Sequence, residues 1–329
     1  MRPSSALPSF ARCASEGNRA TEGLPAEAPR AKAGGTIAHS CAAWLAAALG
    51  ALAASAAQAA DRSAIRIGWT AWSDAEAVTQ IARQVLEERL DYRVELVMTD
   101  IGLQYTGVAR GNLDVMLMAW LPTTHKAYWD KVSGDVVDLA VLYDHARLGW
   151  AVPNYVPESE VSSIPDLGKP EVRSRLHGRI QGIDPGAGLM RASERALADY
   201  ALTGYSLLSA SDAGMIVALD RAIKRKDWIV VTTWSPHWMF ARYPVRYLAD
   251  PKGSLGSTEA IHAVARKGFE ADFPRAAAFL KKFKLTIPEL EALMLRAKDS
   301  SYHDEAVAYV RTHPQRVDQW VADAGTVKP

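Results

Sequence analysis

Short apolar runs alternate with segments of helical period from Ile65 onward, and few architectures tolerate that rhythm. Ile65 to Ile67 reads as a strand, after which Val78, Ile81, Ala82, Val85 and Leu86 recur at the spacing of one helix face. A strand over Val94 to Met98, a short helix over Gln104 to Arg110 and an apolar run over Val115 to Met118 continue the pattern. Such βαβαβ order predicts an α/β fold, a parallel sheet flanked by helices. A second set follows "VPNYVPESEVSSIPDLG", whose prolines suit a connection. It holds "RIQGID", helices over Leu189 to Tyr200 and Ser211-Asp212 to Lys224, and a strand over Trp228 to Thr232. From Glu259 a strand-like segment leads into three or four helical patterns, where Thr286 and Glu289 fit a capping box. Two sets with a returning chain predict two lobes, residues 60–152 plus 253–329 and residues 153–252, with a ligand cleft between them. Ligands in such sheets sit beyond the carboxyl ends of the strands.

The segment before this pattern has another character. Residues 42–57, "AAWLAAALGALAASAA", are uncharged, Arg30 and Lys32 lie upstream, and Ala57-Gln58-Ala59 is a small-x-small cleavage site. The pattern predicts a leader and secretory signal peptide over residues 1–59, too short and too weakly apolar for a good membrane span. Both cysteines, Cys13 and Cys41, precede the expected cut, and Cys41 precedes the apolar run, so it does not read as a lipid-anchored cysteine. A soluble, thiol-free periplasmic protein is expected. With 38 basic against 37 acidic residues and no basic stripe, nucleic acid is excluded as a partner.

Tryptophans gather where the strands are expected to end. "IGWTAWSD" carries Trp69 and Trp72, "MLMAWLPTTH" carries Trp120 and His125, and "VVTTWSPHW" carries Trp234, His237 and Trp238. Beside Asp74, Pro122 and Pro236 these indoles read as loop residues; the alternative is that each merely covers the top of a sheet. Indole faces surround a cation that donates no hydrogen bond, such as a quaternary ammonium. Three rings at roughly 0.5–2 kcal/mol each fall short of the roughly 8 kcal/mol that micromolar binding needs, so a second anchor is required. "GIDPGAGLM", Gly182 to Met190, supplies one: glycines before a helix start leave the N–H groups of Gly188 and Leu189 open to a carboxylate. The same loop also reads as an ordinary tight turn. His125 adds an N–H to the same carboxylate, or serves as a loop hydrogen-bonder. Cation cage plus anion nest describes a small zwitterion, trimethylglycine or a close relative.

"GNLDVMLMAWLPTTH", "ARLGWAVPNYV", "GIDPGAGLM", "VVTTWSPHWMFARYPVRYLADPKG" and "ARKGF" together resemble the glycine betaine substrate-binding proteins of osmoprotectant ABC importers, the OpuAC-like group. The resemblance covers Ile65 to Val321. It implies a two-lobed type II periplasmic-binding-protein fold, partnership with ABC permease subunits, no cofactor or metal, and no catalytic residue. It also implies that Trp72, Trp120 and Trp234 box the trimethylammonium, while His125, Gly188 and Leu189 hold the carboxylate. "WSD" resembles the W-x-D of a choline-binding branch and would turn Asp74 toward a cation. That branch, however, has a tyrosine where this chain has Leu148 and an asparagine where it has Ala187. Betaine is therefore the expected ligand, with choline, carnitine, proline betaine and sulfonium analogues as alternatives. Asp74 and His237 complete the expected ligand-binding set, and a monomer is expected. An exported hydrolase using His125, His237 and Asp74 is the competing class, but G-x-S-x-G and H-E-x-x-H are both absent from the sequence. A sensor or scaffold using the same cleft is a third reading.

Overall fold

The computed structural model describes residues 64–324, so the expected signal peptide, its cleavage site and both cysteines lie outside the described residues. The first half of the fold runs β1 (Ala64–Trp69), α1 (Ser73–Glu88), β2 (Arg93–Met98), α2 (Ile101–Ala109), β3 (Val115–Leu121), α3 (Lys126–Val132) and β4 (Val136–Pro153). There follow a 3-10 turn (Ile164–Gly168), α4 (Pro170–Arg175), β5 (Arg179–Gln181), α5 (Gly188–Asp199), β6 (Ser206–Leu208) and α6 (Asp212–Arg225). Next come β7 (Val231–Ser235), α7 (Met239–Arg242), β8 (Val245–Tyr247) and β9 (Glu259–Arg266). Five helices close the chain: α8 (Phe269–Asp272), α9 (Pro274–Lys282), α10 (Ile287–Arg296), α11 (Tyr302–Thr312) and α12 (Pro314–Val321).

The nine strands form one continuous sheet in the order β2-β1-β3-β9-β4-β7-β5-β6, with β8 also on β4. It is mixed, not parallel as the βαβ rhythm predicts. β1 pairs in parallel with β2 and β3, and β5 with β6 and β7, but β9 and β4 run antiparallel to their neighbours. β4 escapes a reading by alternation because its pairing with β9 shifts register three times, between Asp138 and Ala146, and His145 sits at positive φ. Each bulge swaps the faces on which later side chains fall, which erases a period of two. This 18-residue strand joins the two halves: up to Ala146 it pairs with β9, and from Arg147 it pairs with β7.

β3, "VMLMAWL", is buried at every position, as a central strand covered on both faces must be. The inner face of α1, from Ala75 through Leu86, packs with the first half's strands and with Phe279, Phe283, Leu293 and Trp320 of the closing helices. The capping box holds: the Thr286 N–H and hydroxyl donate to the Glu289 carboxylate at 2.9 and 2.7 Å. A smaller second core gathers Trp150, Val152, Ile164, Leu167, Ile180, Ala196 and Val230 around β5 and α5. At its centre Trp150 is fully buried and donates its indole N–H to Ser193 Oγ at 2.9 Å. Among the described residues no helix is long and apolar enough to cross a membrane. Trp150→Ala leaves a cavity and an unpaired hydroxyl, so it is expected to destabilise the protein by about 3–5 kcal/mol, read as a lowered urea midpoint. An unchanged midpoint would contradict this placement.

Candidate functional site

Three indoles converge on one small hollow. Trp72 is the residue just before α1, Trp120 lies in β3 and Trp234 in β7. All three line the cavity, and each is 5% exposed or less. Trp72 and Trp234 stand with ring centroids 6.5 Å apart and planes at 57°, too far apart and too tilted to stack on each other. Trp120 and Trp234 are strand residues, where the sequence places them in loops. Pairing continues through them, Trp120 opposite Ile261 of β9 and Trp234 opposite Leu148 of β4. Trp69 ends β1 and does not line the cavity.

The opposite pole is built from the segment after β3 and the start of α5. The Glu259 carboxylate fixes that segment by accepting from the Thr123 and Thr124 N–H groups and from the Thr124 hydroxyl. His125 is tied back to β3 twice: its N–H donates to Trp120 O at 3.0 Å, and its Nδ1 accepts from Trp120 N at 3.1 Å. A ring nitrogen that accepts carries no proton, so the proton sits on Nε2. Burial, with Arg191 nearby, pushes the imidazole pKa from 6.5 down to about 3. His125 is therefore a neutral donor at physiological pH. Across from it, α5 begins at Gly188 with no side-chain cap from Ala187. Backbone bonds to Ala187 O come from Met190 and Arg191, which leaves the Gly188 and Leu189 N–H groups as the orphan donors of the first turn. Both residues line the cavity. Position 188 admits only glycine, since a Cβ there would stand 2.4 Å from Thr124 Cγ2 and 2.7 Å from Thr124 O. Leu148 and Ile183 add apolar wall.

Two of the expected ligand contacts lie elsewhere. Asp74 is fully buried behind Trp234, accepting from its indole N–H at 3.0 Å and from Tyr143 OH at 2.8 Å. It does not line the hollow because its position in the first turn of α1 turns it toward β4. His237 is also fully buried and outside the lining. Its Nδ1 accepts from Met239 N, which puts the proton on Nε2 facing Asp212 at 3.0 Å. The ring stands edge-on to Trp234 at 4.7 Å and braces it. Among the described residues no cluster of three His, Cys, Asp or Glu could hold a metal ion.

Residues 63–310 match the family described as the substrate binding domain of ABC-type glycine betaine transport systems. The chain belongs to that family. Among solved structures, lactococcal OpuAC, closed and complexed with glycine betaine, is 36% identical with a TM-score of 0.73, covering 78% of this chain and 99% of that one. The glycine/betaine/L-proline-binding protein ProX of Borrelia burgdorferi is 32% identical with a TM-score of 0.74, covering 78% and 96%. A curated relative, the glycine betaine/carnitine transport binding protein GbuC of Listeria monocytogenes, is 37% identical over 155 residues. That alignment spans 46% of this chain and about half (52%) of the relative. The fold is thus the two-lobed fold of these substrate-binding proteins, in a family of transport components and not of enzymes.

Within this family member, several supporting groups carry no local sequence signal. Asp184 accepts from the Trp72 indole at 3.0 Å, Asp212 accepts from the Ser73 N–H and hydroxyl at 3.0 and 2.6 Å, and Glu259 holds the His125 segment. Only Asp184 could have been suspected, as the acid inside "GIDPGAGLM". Asp74 also has a measurable consequence. Burial raises its pKa from 3.8 to about 6, against the hydrogen bonds from Tyr143 and Trp234 and the nearby His237, which lower it. The native state then holds this proton more tightly than the unfolded chain. The group's contribution to stability is greatest below about pH 4, falls through the window up to about pH 6 and stays low above it. Asp74→Asn should therefore be more stable than wild type at pH 8, by on the order of 2–3 kcal/mol, with the gap closing near pH 4 in urea titrations. A less stable variant at pH 8 would contradict this.

Proposed function

We propose that the cavity binds glycine betaine or a related quaternary-ammonium zwitterion, and that the chain is the substrate-binding component of an ABC importer. One observation carries the reading: three indoles and an uncapped helix start with a neutral histidine donor line the same small hollow. In this reading Trp72, Trp120 and Trp234 surround the trimethylammonium, whose charge is spread over methyls and offers no N–H. The Gly188 and Leu189 N–H groups and His125 Nε2 take the carboxylate. No catalysis is assigned to the site. The leader over residues 1–59 would deliver the protein to the periplasm, where a monomer would present its ligand-closed form to the permease.

Closure follows from where the anchors sit. Trp72, Trp120 and His125 belong to the lobe proposed for residues 60–152 plus 253–329, and Trp234 and the glycine loop to the lobe of residues 153–252. A ligand touching both stabilises the closed state over the open one by its differential contacts. Polar ties already cross in this conformation, among them Tyr128 OH to Gly186 O at 2.7 Å.

Choline is the second reading, motivated by Asp74 in "WSD". Betaine is favoured because Asp74 lies outside the lining, behind Trp234, with one hydrogen bond on each oxygen, while the donors at Gly188, Leu189 and His125 call for an anion. Apolar lining by Leu148 and Ala187, at the positions where the choline-binding branch has tyrosine and asparagine, points the same way. Calorimetric titration with betaine, choline, carnitine and proline betaine tests the assignment. Betaine-type zwitterions should bind most tightly, and Trp120→Ala should weaken them by about 1–3 kcal/mol. Unchanged affinity in that variant would remove Trp120 from the site, and preference for choline would reverse the order of the two readings.

A further inference from the structure

Two of the three cavity indoles donate their N–H to a carboxylate, and in each pair the partner comes from the other half of the sheet. Trp72, after β1, donates to Asp184 Oδ2 at 3.0 Å, and Asp184 lies between β5 and α5. Trp234, in β7, donates to Asp74 Oδ1 at 3.0 Å, and Asp74 lies in the first turn of α1. The pairs are crossed, joining residues 112 and 160 positions apart.

A neutral acceptor would orient an indole equally well, as Ser193 does for Trp150 and Ser73 does for Trp238. A carboxylate does more. Negative charge at the ring's N–H edge pushes electron density toward the faces and adds its own potential there, and both strengthen attraction for a cation over the ring. Asp74 is also a buried anion whose two hydrogen-bond partners, Tyr143 and Trp234, are both neutral. A buried charge of that kind calls for compensation, and a cation in the adjoining hollow supplies it.

We propose that Asp74 and Asp184 are positioning residues that set specificity: the crossed pairs charge the aromatic cage only when the two halves meet, so that closure selects a permanent cation over an uncharged guest of the same shape. The inference rests on the reading of the cavity as a quaternary-ammonium cage. Separation of the halves breaks both pairs, so the cation and closure favour each other.

The test compares glycine betaine with 3,3-dimethylbutanoate, in which a tert-butyl group replaces the trimethylammonium. Affinities for wild type, Asp184→Asn and Asp74→Asn are measured at pH 8 by calorimetry, with displacement of bound betaine where the isostere's heat is small. Asparagine keeps an oxygen to accept the indole N–H and removes only the charge. The expected result is a loss on the order of tenfold in betaine affinity with the isostere unchanged within about twofold. Asp184 is partly exposed, so Asp184→Asn removes a charge with little change in packing and carries the test independently of the buried Asp74. Equal losses for both ligands, or no loss for either, would overturn the inference while leaving the cage intact. Wild-type protein that fails to bind betaine would overturn the cage and the inference together.

Discussion

An indole that lines a hollow has to be held by its one polar atom, because its apolar faces gain by collapsing onto any neighbour. Much of the site follows from that requirement. Trp72 is pinned by Asp184 and Trp234 by Asp74, and Trp234 is further braced by the His237 ring, itself anchored by Asp212 and the Met239 N–H. Asp74 is steadied in turn by Tyr143, which belongs to β4. The rings therefore stand apart at fixed angles around a void, where an unsupported set of this size would fill it.

β4 makes the arrangement possible at the level of the fold. One strand serves both halves of the sheet, so the ends of β3 and β7, which carry Trp120 and Trp234, are placed relative to each other through shared backbone pairing. The bulges that hide β4 in the sequence lie on its β9-paired part, before the change of partner at Arg147. The close approach at Gly188 is the matching contact on the other side, where the start of α5 meets Thr124 with no room for a Cβ. Stability is traded for this geometry at Asp74, a carboxylate whose burial works against its charge.

Much of this was legible in the sequence and some was not, for physical reasons. β1, α1, β2, α5 and α6 announce themselves by a period kept over their length, and β3 by an unbroken apolar run buried at every position. Trp72, Trp120, Trp234, His125, Gly188 and Leu189 stood out because indoles, a histidine and glycines sit at the carboxyl ends of such runs, and all six line the hollow. The mixed sheet was hidden because α3 stands between β3 and β4 as a crossover helix would, while β4 pairs with β9, which the chain reaches only after β5 to β8. Asp74 was drawn to the ligand by the resemblance of "WSD" to W-x-D, and His237 shares the segment of Trp234, yet a helix's first turn and a tight turn after β7 direct both away from the hollow. Asp184, Asp212 and Glu259 act on partners 112 to 139 positions away, a relation that one chain's spacing cannot display.

The most direct test of the central claim is a crystal structure of the protein grown with glycine betaine. The account predicts the trimethylammonium within about 4–6 Å of the faces of Trp72, Trp120 and Trp234, with the carboxylate on the Gly188 and Leu189 N–H groups and His125 Nε2. A ligand seated outside these rings, or one reversed so that its carboxylate faces the indoles, would contradict it.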